Sequence, residues 1–107
     1  MGQDLPALLR RIRRQLDARG ADPAKPLLTE LEHTLTDGYA QALGLEAERL
    51  RIERRIGELA HRLDGPDDVA ELQELALRLR QADDELANLR DVLVTLQQHV
   101  DDARAAA

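Results

Sequence analysis

The chain has no cysteine, no serine, no tryptophan and no phenylalanine, and a single tyrosine, Tyr39. Without cysteine there is no disulfide and no thiolate metal site, which fits a reducing compartment. Without serine or cysteine, and without a glycine-rich strand-to-helix turn, the common nucleophiles and phosphate cradles are missing, so an enzyme is not expected. No run approaches the roughly 18 apolar residues of a membrane span, and the N-terminus lacks the apolar centre of a signal peptide. The expectation is a soluble, cytoplasmic protein whose core must be built from Leu, Ile, Val and Ala. At 107 residues it is one domain with little interior to spare.

What is abundant is Leu, Ala, Glu, Arg and Asp, the composition of coiled coils and bundles. From Leu27 to Leu63 the apolar residues repeat every seven. One series is Leu28, Leu35, Ala42, Arg49, Ile56, Leu63, and the other is Leu31, Gly38, Leu45, Ile52, Leu59. Nine of these eleven positions are apolar, and no alternating polar–apolar stretch competes, so one long helix is predicted. After Asp64-Gly65-Pro66-Asp67 the pattern resumes through Leu72, Leu75, Leu79, Ala82, Leu86, Leu89, Leu93, Leu96, Val100 and Ala103. Asp67 or Asp68 is expected to cap this last helix. A turn at 64–67 predicts an antiparallel helical hairpin over 27–107, with Gly38 against Leu93 and Arg49 against Ala82.

Residues 1–26 read differently. Asp4 is placed to cap a short helix from about Leu5 to Ala18, with Pro6 tolerated in its first turn. Leu5, Leu8, Leu9, Ile12 and Leu16 form its apolar stripe, and Gly20 and the linker 21–26, with two prolines, end it. This segment has six Lys or Arg against three Asp, whereas 27–107 has nine against eighteen. Arg10, Arg11, Arg13 and Arg14 are therefore the candidate anion contacts, but the acidic body argues against a nucleic-acid surface. The simplest destination for this basic amphipathic helix is the acidic hairpin of its own chain.

The fold class expected is all-α: a short N-terminal helix plus a long, coiled-coil-like antiparallel hairpin, completed as a bundle on dimerisation. Dimerisation is expected because the first long helix has a second apolar stripe, Thr36, Ala40, Leu43, Ala47 and Leu50, which the N-terminal helix is long enough to cover only in part. Tyr39, Leu43, Ala47, Leu50 and Arg49 are the candidate partner-binding residues of a non-catalytic protein–protein interaction module or regulator, the partner being a second copy or another helical protein. Arg49 is the one charge in the heptad core, a choice that sets register at a cost in stability. Its expected neighbours are Glu46, Glu53 and Asp83. No cofactor is implied. His33, His61 and His99 have neither the i, i+4 spacing nor the companions of a metal site.

Three family resemblances bear on the alternatives. His33-Thr34-Leu35-Thr36-Asp37-Gly38 followed by Gly44 resembles the His-x-Leu-Lys-Gly motif of histidine phosphotransfer proteins, which implies a signalling role for His33. Thr36 stands where that family has Lys, and Gly38 comes one residue late. The hairpin is similar in outline to small type VII secretion substrates, without their Trp-x-Gly turn. It is also similar to anti-sigma hairpins that bind cyclic di-GMP, without the serine of their ligand motif.

Overall fold

The computed structural model describes residues 4–18 and 27–106, so Arg19, Gly20 and the expected linker up to Pro26 lie outside the described residues. The described residues form three helices and no strand: α1 (Leu5–Asp17), α2 (Leu28–His61) and α3 (Pro66–Ala106). The two long helices pack against each other, and the molecule measures 63 × 22 × 19 Å. That elongation follows from a one-dimensional seam: a stripe of Leu, Ile and Ala buries itself only against another stripe.

Cross-helix partners run in opposite order along the two helices. Nearest the connection Arg55 meets Glu71, then Arg49 meets Asp83, Arg90 meets Glu46, Tyr39 meets Gln97, and at the far end Arg104 meets Glu32. Gly38 is buried at the α2–α3 seam, and a Cβ there would overlap Cδ2 of Leu93. Glycine lets the two backbones approach at that level, against its cost in a helix interior of roughly 1 kcal/mol.

The connection lies earlier than the expected 64–67. α2 ends at His61, and Leu63, expected in the seam, is outside the helix and half-exposed. The reason is Pro66, whose fixed φ and missing N–H suit the first position of a helix. The first helical bond runs from the Val69 N–H to the Gly65 carbonyl, and the Asp64 N–H donates to the Asp68 carboxylate at 3.1 Å. Asp67 and Asp68 therefore sit inside the first turn, where their charge complements the helix dipole, rather than before it. At α1 the Asp4 carbonyl, and not its side chain, accepts the first bond, from Leu8 at 3.0 Å. At α2 the Leu27 N–H donates to Glu30 at 3.3 Å, the returning half of a capping box.

The core has two parts. Near the connection Ile52, Leu59 and Leu75 are buried, flanked by Ile56, Leu72 and Leu79. Toward the far end Leu31, Leu35, Ala42 and Leu45 of α2 meet Leu86, Leu89, Leu93, Leu96 and Val100 of α3, and Leu8 and Ile12 of α1 complete the cluster. Arg49 and Ala82 mark the level between them. Leu8 and Ile12 are almost wholly buried, each contributing about 1.5–3 kcal/mol relative to exposure. The Arg11 guanidinium meets Asp37 at 2.6 Å. The basic helix thus folds onto the acidic long-helix pair of its own chain.

Candidate partner-binding flank

Two helices side by side present two flanks, and α1 occupies one of them. It lies where Thr34 is buried and Val92 packs against the core. The second stripe of α2 was expected to be partly covered by α1, and it is not: Thr36, Ala40, Leu43, Ala47 and Leu50 are all exposed. The reason is angular. At 100° per residue Thr34 and Asp37 lie on one side of the seam, whereas Tyr39, Leu43 and Leu50 lie on the other, and one helix cannot cover both.

On that second flank the side chains form a shallow groove of about 490 Å³. Ala42 and Leu93 make its floor. Tyr39 and Leu43 from α2 and Val94 from α3 make its walls, and Glu46 with Arg90 closes one end. Tyr39, Leu43 and Val94 are 48%, 67% and 61% exposed. The Tyr39 hydroxyl donates to Gln97 Oε1 at 3.3 Å, which holds the ring across the seam. A second depression continues toward the connection, lined by Glu46, Arg49, Leu50, Glu53 and Arg90.

The expected partner-binding residues are distributed as follows. Tyr39, Leu43 and Leu50 share the flank, with Ala47 exposed beside them. Arg49 is half-buried and reaches out of the seam to Asp83 at 3.3 Å and Glu53 at 3.5 Å. Glu46, its third expected neighbour, pairs with Arg90 instead. Val94 and Arg90 were not singled out from the sequence, and the floor residues Ala42 and Leu93 were read there only as seam residues. Val94 carried one signal, an apolar residue a single step outside the heptad seam of α3.

The candidate anion contacts are divided. Arg11 is engaged with Asp37, while Arg10, Arg13 and Arg14 are exposed and form no ion pair among the described residues. The arginines near the connection are divided too. Arg55 makes a two-pronged contact with Glu71, at 2.9 and 3.2 Å, and also reaches Glu58. The hydrogen bond from Arg55 holds the Glu71 carboxyl below its ordinary range. Arg55 and Arg104 are raised above theirs, chiefly by the hydrogen bonds they donate to Glu71 and Glu32.

His33 is exposed on α2, and Gly38, which its motif would use to open access to the imidazole, is buried in the seam about 140° away around the helix. Among the described residues no group of three or more His, Cys, Asp or Glu could hold a metal ion. Among the described residues no helix is long and apolar enough to cross a membrane. No protein-family model, no curated protein and no solved structure matches this chain.

Proposed function

We propose that the protein is a non-catalytic protein–protein interaction module, a helical hairpin that docks a helical surface of another chain on the flank opposite α1. One observation carries this reading: the apolar groove walled by Tyr39, Leu43 and Val94, beside a core otherwise covered by α1. Contiguous exposed apolar surface of this kind marks interaction sites. Its shape, two parallel ridges with an apolar floor, suits the i, i+3, i+4, i+7 anchors of an amphipathic helix.

Tyr39 supplies the test. It is the only aromatic side chain of the chain, so its fluorescence reports on the groove without a label. Emission and anisotropy are expected to change when the protein is concentrated, or when tyrosine-free amphipathic helical peptides are added. The change should vanish in a Leu43→Glu, Val94→Glu variant that keeps its helical content. A tyrosine signal indifferent to concentration and to every peptide of such a panel would remove the reading.

A further inference from the structure

We propose that Asp64 is a site of spontaneous covalent modification: the fold leaves the Asp64-Gly65 pair open to cyclisation and conversion to isoaspartate, and it protects the chain's other such pair, Asp37-Gly38. The inference is independent of the groove.

Asp-Gly occurs twice in the chain, at 37–38 and at 64–65. Glycine after aspartate favours this chemistry because it has no Cβ to hinder the approach of its amide nitrogen to the preceding carboxyl carbon. The Gly65 nitrogen attacks Cγ of the Asp64 carboxyl in its neutral acid form. An N–Cγ bond forms, the Cγ–OH bond breaks, and the hydroxyl leaves as water with the amide proton. Water then reopens the five-membered succinimide. Cleavage of the N–Cγ bond regenerates aspartate. Cleavage between the nitrogen and the main-chain carbonyl carbon leaves the chain running through Cγ, as isoaspartate. Nothing is oxidised or reduced, and water is the only reagent.

The structure treats the two pairs differently. Asp64 and Gly65 lie between α2 and α3, with Asp64 exposed. The Asp64 N–H donates to Asp68 and the Gly65 carbonyl accepts from Val69, but neither bond uses a reacting group. Among the described residues the Gly65 N–H makes no hydrogen bond, and the Asp64 carboxylate makes neither a hydrogen bond nor an ion pair. Nucleophile and electrophile can therefore meet without giving up a bond of their own. At 37–38 each condition is reversed. Gly38 is buried inside α2 with Leu93 directly against it, and its N–H belongs to the i→i−4 ladder of the helix. The Asp37 carboxylate is held by Arg11 at 2.6 Å. Ring closure there requires the helix to open at the seam and the ion pair to break.

The product at Asp64 keeps one carboxylate but lengthens the connection by one methylene. The extra atom falls between the last bond of α2, from the Arg62 N–H to the Leu59 carbonyl, and the first bond of α3 at Gly65.

The experiment is storage of the full chain for weeks at mildly acidic pH and physiological temperature, folded and in denaturant, followed by peptide mapping with mass spectrometry. The succinimide reads as the loss of one water. Isoaspartate reads as a peptide of unchanged mass that elutes apart and resists an aspartate-specific protease. In the folded chain, conversion at Asp64 is expected to run at least about tenfold faster than at Asp37, because only the second site must first open out of a packed helix. In denaturant both pairs should convert. Gly65→Ala should slow conversion at Asp64 severalfold and keep the helical content, since nothing lies within 4 Å of the Cβ it adds. An Asp64 that stays intact in the folded chain would overturn the site, as would conversion that Gly65→Ala leaves at the parent rate. Equal rates at the two pairs in the folded chain would overturn the selection by the fold.

Discussion

The half of the rod far from the connection and the half near it are built from the same heptads but stabilised differently. In the far half three helices share one cluster, and Leu89, Leu96, Val100, Ile12 and Leu8 are almost completely shielded. In the near half two helices share a small cluster of three buried residues, bordered by Arg49, Arg55 and Arg78 with their carboxylate partners. A third helix removes a flank from water, and two helices alone cannot. The near half compensates with long side chains laid over the seam, which shield apolar surface with their stems and keep their charges wet. Local stability should therefore be graded along one continuous rod.

The largest break in that comparison comes from the α1 anchor. Leu8→Ala and Ile12→Ala are each expected to cost about 2–4 kcal/mol, the usual range for emptying a shielded aliphatic site. Hydrogen exchange should speed up in the far half while the amides around Ile52 and Leu75 stay at their parent rates. Equal acceleration at both ends would show that the two halves unfold as one unit.

Gly38→Ala comes next. The added methyl must displace Leu93, so the substitution should destabilise by roughly 1–3 kcal/mol even though alanine is the better helix former. Gly57→Ala is the matched control, since nothing lies within 4 Å of its Cβ position. It should stabilise by about 0.5–1 kcal/mol. Chemical denaturation of the two variants side by side reads the sign directly.

Arg49→Leu should join the two clusters. Its side chain is 39% exposed and paired with two carboxylates; pairs this exposed contribute only about 0–1 kcal/mol, whereas a leucine there would extend the apolar seam. A gain of about 1 kcal/mol would raise the melting temperature by roughly 4–8 °C for a domain of this size. The near half should gain most. A lower melting temperature would mean that the ion pairs hold the two helices in register.

The smallest effect is the acid response of the near half. Glu71 has a carboxyl lowered chiefly by the hydrogen bond from Arg55, while desolvation works against it. In the window between its lowered folded value and the ordinary value near 4.3, the unfolded chain binds more protons than the folded one. The stabilisation is therefore fully present above the ordinary value and is lost as pH falls through the lowered one. Glu71→Gln should flatten part of the acid-side fall in melting temperature and leave neutral pH nearly unchanged, because both partners are solvent-accessible.

The sequence by itself determined the helices. A seven-residue apolar repeat on both sides of Gly65-Pro66 leaves no other regular structure that buries the leucines, and the contacts of Gly38 with Leu93 and of Arg49 with Asp83 follow from that repeat. The connection moved by two residues because Pro66 is a better first helical residue than either aspartate after it is a cap, a competition the heptad count does not weigh. Only the tertiary structure decided which flank remained open. A sequence shows that α1 has a stripe to bury and that α2 has one to spare, but matching the two requires the angle each presents around its own axis once the seam is closed. α1 went to the flank of Thr34, Asp37 and Val92, and Tyr39, Leu43 and Leu50 were left facing water beside Val94. The groove takes walls from helices about fifty residues apart in the chain, so no local pattern contains it: the seam created it by bringing two solvent-side ridges together.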